Sequence, residues 1–143
     1  MSHNPFENLP RISAGFRSPA EDYKENRLDF NAYFRRNPPA TMEWRVDGKC
    51  MEGAFIPHDS IVIIDCSLKP PNGSIVAATV NGENMIKQIV STMDGVFLLP
   101  ANDKFNFRSI KLTEDMDYKV WGTVTHVIVD LYYPKNGGHD STY

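Results

Sequence analysis

The sequence predicts a compact all-β domain behind an extended N-terminal arm, with room for one short helix. Three observations carry that reading. Short β-branched runs recur at close spacing after Thr41: Ile61–Asp65, Ser74–Val80, Met85–Val90 and Val96–Leu99. Turn pairs punctuate them at Asn81-Gly82 and Asp94-Gly95. Residues 1–40 hold Pro5, Pro10, Pro19, Pro38 and Pro39 and few β-branched residues, so they do not read as sheet.

The elements follow in order. Pro10–Pro19 has no apolar period and is predicted to be extended. Ser18–Phe34 suits a short amphipathic helix. Pro19 fits the first helical position, Glu21 and Asp22 the first turn, and Tyr23, Leu28, Tyr33 and Phe34 can supply buried contacts. Asp29–Asn31 interrupt that pattern. Residues 41–133 form the β-rich domain. It opens with Met42, Trp44 and Val46 alternating with Glu43, Arg45 and Asp47, the period of a half-buried strand. Gly82 supplies the positive φ of a hairpin turn. Tyr118–Tyr133 is long enough for two strands or one bent strand, with Gly122 as a bulge position. Residues 134–143 are a polar C-terminal tail.

Composition bounds the function. The chain has 143 residues, about one domain, with 41% hydrophobic and 23% charged residues, enough for one core. A net charge of -3 argues against direct, sequence-specific nucleic-acid binding, which normally needs a basic face. No apolar run is long enough to cross a bilayer, and the start Met1-Ser2-His3-Asn4 lacks a signal pattern, so no membrane partner and a cytoplasmic location are expected. Cys50 and Cys66 make no disulfide framework. His3, His58, His126 and His139 are scattered, so no metal site is expected. His126 reads as a hydrogen-bonded core or surface histidine, and Glu114, Asp115 and Asp117 as a solvated turn. There is no phosphate loop or dinucleotide fingerprint, and no cofactor is expected.

Two side chains could carry chemistry. Cys50, in Gly48-Lys49-Cys50-Met51, follows a strand and a glycine, where a nucleophile can be presented. Lys87, in Asn84-Met85-Ile86-Lys87, shares a strand face with Met85 and Ile89. On an inward face its ammonium would be desolvated, which favours the neutral amine that a base requires. Spacing alone does not choose this pair. A small buried cysteine is commonly just core, and a lysine on an amphipathic strand more often snorkels to water than works as a base.

Four segments in order resemble the UmuD/MucA family of SOS mutagenesis proteins, within the LexA-like self-cleaving peptidases of S24 type. Ile12-Ser13-Ala14-Gly15-Phe16-Arg17-Ser18-Pro19-Ala20 is similar to the family's cleavage region. Pro39-Ala40-Thr41 and the strand into Gly48-Lys49-Cys50-Met51 correspond to the segment ending in the family's Gly-x-Ser-Met. Val80-Asn81-Gly82-Glu83-Asn84-Met85-Ile86-Lys87 resembles the hairpin carrying the general-base lysine. Val120-Trp121-Gly122-Thr123-Val124-Thr125-His126-Val127 resembles the closing strand. Lys87 follows Cys50 by 37 residues, which fits the family's interval.

The resemblance implies a LexA/signal-peptidase-like β domain and a homodimer whose arms lie across the globular domains. It implies Cys50 and Lys87 as the catalytic pair and Ala14–Gly15 as the scissile bond. A RecA–single-strand DNA filament would stimulate the cut, and the shortened form would join a UmuC-like Y-family DNA polymerase in translesion synthesis after DNA damage. A repressor is not expected, because residues 1–14 are too few and too proline-rich for a helix-turn-helix. The sequence departs from the family pattern at three places. Cys50 replaces the nucleophilic serine, Lys49 replaces a small or acidic residue beside it, and Pro57-His58-Asp59-Ser60 replaces a Gly-Asp turn. A close thiol–amine pair shares its proton and titrates as a unit, and sulfur is larger than oxygen. The alternative reading is therefore a catalytically silent binding module of the same fold.

Overall fold

The computed structural model describes Leu9, residues 11–12, 28–102 and 108–132. The chain divides into two compact units, 1–36 and 37–143. In the first, the described helix is α1, Phe30–Phe34. Asp29 caps it by accepting from the Ala32 N–H at 3.3 Å, which satisfies one of the amides left without a partner at a helix start. The residue that interrupts the amphipathic pattern is thus where this helix begins. The expected helical residues 18–27 lie outside the described residues. Phe30 stacks on Phe34 at 6.1 Å, and Arg36 lies 5.8 Å from the Tyr33 ring.

The second unit is a seven-stranded sheet: β1 (Thr41–Arg45), β2 (Ile61–Asp65), β3 (Ile75–Val80), β4 (Glu83–Thr92), β5 (Gly95–Leu99), β6 (Ile110–Leu112) and β7 (Tyr118–Ile128). Its order is β1-β2-β7-β3-β4-β5-β6, and every pairing is antiparallel. The predicted all-β class is the observed one. The β3–β4 hairpin turns on Asn81 (φ 49°) and Gly82 (φ 82°), the paired positive φ values of a type I′ turn. The β4–β5 turn places Met93 and Asp94 at its tip, with Gly95 already paired to Thr92. β6 was not anticipated, because three residues carry too little pattern.

The long C-terminal run is one bent strand. Its register shifts twice, leaving Trp121 as the extra residue opposite Ala77–Ala78 and Thr125 opposite Ile63–Ile64. Bulges of this kind increase local twist and bend the strand. Gly122 lies between them, and a Cβ there would sit 2.5 Å from the Asp65 carbonyl oxygen and 2.7 Å from the Cys66 Cα. Only glycine allows the two strands to approach so closely.

β3 is buried on both faces, which is why it reads as a nearly continuous apolar run. Ala77 packs with Val46, Met51, Ile56, Val62, Ile64 and Ile86 on one face. Val76, Ala78 and Val80 pack with Leu98 on the other. Each fully buried Val, Leu, Ile or Met side chain contributes about 1.5–3 kcal/mol. Among the described residues, no helix is long and apolar enough to cross a membrane.

Candidate active site

After β1 the chain is fixed before it reaches residue 50. The Val46 N–H donates to the Ser60 carbonyl at 2.8 Å, and the Asp59 N–H donates to the Val46 carbonyl at 2.7 Å. Gly48 then turns the backbone at φ 104°. Its N–H donates to His58 Nδ1 at 2.9 Å, and Asp47 Oδ1 lies 3.3 Å from the same nitrogen. Met51 is 1% exposed and anchors the next residue in the core, while Cys50 is half-buried. A short 3-10 turn, Glu52–Ala54, follows.

Three consecutive carbonyls of this turn are committed. Lys49 O accepts from Glu52 N at 3.2 Å and from Asn102 Nδ2 at 2.5 Å, Cys50 O accepts from Ala101 N at 2.7 Å, and Met51 O accepts from Ala54 N and Ile56 N. Gly53 N donates to the Ala101 carbonyl, so Ala101 holds the turn from both of its backbone groups. Among the described residues, no backbone hydrogen bond uses the N–H of Cys50 or Met51.

Lys87 comes from the opposite wall. It lies in the first half of β4, opposite Val76, and its Nζ donates to Cys50 Sγ at 2.9 Å. Met85, Lys87 and Ile89 are all half-buried, so the expected inward face is only partly withdrawn from water. The pair sits in a groove of about 650 Å³. Five consecutive residues of one wall line it, Glu43–Asp47, and five of the other, Glu83–Lys87. A groove crossing one sheet face would touch alternate residues; consecutive residues mean that it follows strand edges. β5 pairs with β4 only from Gln88 to Thr92, so the half of β4 that lines the groove runs past the end of β5.

The Pro57–Ser60 segment keeps a tight turn without glycine. Asp59 adopts φ 73°, and its carbonyl accepts from Arg45 Nη1 at 2.8 Å. The Arg45–Asp59 ion pair at 3.5 Å is half-exposed and adds at most about 1 kcal/mol. Of the predicted site residues, the structure brings Cys50 and Lys87 together, and Ala14 and Gly15 lie outside the described residues. Sequence reading missed the clamp from Ala101 and Asn102. Its partners are some fifty positions away, and neither residue belongs to a motif. No group of three or more His, Cys, Asp or Glu that could hold a metal ion occurs among the described residues.

Comparison with known proteins points to one family. The Peptidase S24-like family model matches residues 6–125. The chain is 35% identical over 122 residues to protein MucA of Salmonella typhimurium, covering 85% of this chain and 82% of MucA. It is 36% identical over 118 residues to protein ImpA of Shigella flexneri, covering 82% of this chain and 79% of ImpA. Against the LexA repressor of Acidithiobacillus ferrooxidans it is 34% identical over 109 residues, 75% of this chain but 53% of the repressor. With a family match over residues 6–125 and a relative 35% identical across most of both chains, the chain belongs to the S24-like peptidase family.

Proposed function

We propose that this protein is a UmuD-type SOS protein that cuts its own arm between Ala14 and Gly15 and then serves a UmuC-like Y-family polymerase. The observation that carries the reading is the 2.9 Å contact between Lys87 Nζ and Cys50 Sγ inside an edge-lined groove. Relatives of the MucA and ImpA type support the biological setting.

In the first step Lys87 takes the thiol proton as Sγ bonds to the Ala14 carbonyl carbon. The N–H groups of Cys50 and Met51 are offered to the developing oxyanion. The bond to Gly15 then breaks, and the departing amine takes the proton from Lys87. Residues 1–14 remain as a thioester on Cys50. Water attacks that thioester, Lys87 accepts its proton, and the proton returns to the released sulfur. Tethering supplies a high effective concentration of the scissile bond, so a modest site suffices. A stimulating RecA–DNA filament would act by favouring the docked arm.

The second reading, a silent binding module, is favoured by one feature: sulfur stands where the family pattern has a serine oxygen. Side-by-side incubation of the parent chain and Cys50→Ser with RecA, nucleotide and single-stranded DNA separates the two. Release of residues 1–14 by the parent supports the peptidase. Release by Cys50→Ser alone establishes the silent module, and release by neither removes both the catalytic pair and the cut.

A further inference from the structure

A polar chain that the Cys50–Lys87 pair does not use ends at the groove wall. Trp121, the extra residue at the first bulge of β7, donates its indole N–H to Thr79 Oγ1 at 2.8 Å. Thr79 donates to Asn84 Oδ1 at 2.6 Å, across the register pair Thr79–Asn84 of the β3–β4 hairpin. Lys119 Nζ lies over the Trp121 ring, 3.7 Å from its centre, a cation–π contact that adds to the hold on the indole. Asn84 lines the groove three residues before Lys87.

The direction of this chain follows from the donor-only indole and the observed orientation of the Asn84 amide. An indole N–H is a donor only, so Thr79 must accept from it. The Asn84 amide presents its oxygen to that hydroxyl, so Thr79 gives its single proton to Asn84. With Oδ1 toward Thr79, the amide has both Nδ2 protons on the other side. No described group accepts from them. The strand alternation adds a second constraint. Ile89 exchanges backbone bonds with Ser74 and Gly73 on the β3 side, so the odd-numbered residues of β4 face β3. The backbone groups of Asn84 and Ile86 point the other way, where no described strand pairs with them.

We propose that Asn84 is a peptide-binding residue of the groove: it donates its side-chain amide to a backbone carbonyl of an extended peptide lying along the edge of β4. Thr79 and Trp121 are positioning residues that keep the amide in that orientation. This deepens the reading of the groove as a peptide cleft and rests on it.

Two measurements test it, one of them independent of cleavage. Self-cleavage of the full chain slows about three- to tenfold in Asn84→Ala and in Thr79→Val, and recovers in Thr79→Ser. Thr79→Val adds nothing in an Asn84→Ala background, because the hydroxyl acts only through that amide. Further slowing by Thr79→Val without Asn84 would assign Thr79 a structural role and overturn the chain of action. In the full-length Lys87→Ala protein, a synthetic peptide of residues 8–22 shifts the Asn84 side-chain amide resonances, and Thr79→Val suppresses that shift. Shifts elsewhere in the groove without Asn84 overturn the inference and leave the peptidase reading standing. An Asn84 shift in a protein whose parent never cleaves keeps the inference and discards the peptidase. A peptide that moves no groove resonance discards both.

Discussion

The two cysteines stand at similar places in the chain and in opposite circumstances. Cys50 follows β1 and Cys66 follows β2, each in a turn. Cys50 is half-buried, with its carbonyl held by Ala101 and its sulfur against Lys87. Cys66 is exposed; its N–H donates to the Ala40 carbonyl at 2.8 Å, and its Cα lies under Gly122. Ser67 closes that turn by donating its N–H to Asp65 Oδ1 at 2.9 Å. One turn presents a side chain and the other seats a strand. Thiol chemistry follows the neighbouring amine and the groove, not the residue type.

The widest separation of the two regions comes from Lys87→Ala. It is expected to lower the proposed self-cleavage by about a hundredfold or more and to leave thermal unfolding nearly unchanged, while Cys66→Ala should leave cleavage intact. Cleavage by Lys87→Ala at the parental rate, read by gel electrophoresis, would remove the lysine from the mechanism. Gly122→Ala has the converse effect. The added methyl meets the Asp65 carbonyl and the Cys66 backbone, and urea unfolding loses about 2 kcal/mol. Unchanged stability would mean that the β2–β7 contact is looser than described.

Alkylation sharpens the contrast between the sulfurs. With iodoacetamide, Cys50 loses about tenfold in rate when Lys87 becomes alanine, and Cys66 keeps its rate; peptide mapping reads both sites at once. Equal changes at the two cysteines would erase the distinction. The smallest expected effect lies away from either turn. Thr113 Oγ1 donates to Asp115 at 2.5 Å and holds that carboxyl below the ordinary aspartate range. A depressed folded-state value stabilises the fold above the unfolded carboxylate range, and this is lost as pH falls through the folded value. Thr113→Val should therefore trim stability slightly at neutral pH and not at all in strong acid. A larger loss in acid than at neutrality would reverse the sign.

Local signals were the legible ones. Asn81-Gly82 specified its hairpin because a type I′ turn needs positive φ at both residues. Gly122 marked the bent strand because close backbone approach excludes a side chain. The pairing of residues 50 and 87 was not legible from period two. Alternation placed Lys87 with Met85 and Ile89, but the groove follows strand edges, where neighbouring residues share a wall regardless of face. Ordered family motifs supplied that link. The Ala101–Asn102 clamp and the Trp121–Thr79–Asn84 chain were hidden because both join residues far apart in sequence through contacts without a motif.

Whether the Cys50–Lys87 pair cuts the arm is decided by intact-mass spectrometry of the full chain, incubated from neutral to strongly alkaline pH with and without RecA filaments. A product beginning at Gly15, formed faster at higher pH and absent from Lys87→Ala, is the expected result. An uncut mass under every condition, or a cut at another bond, would contradict it.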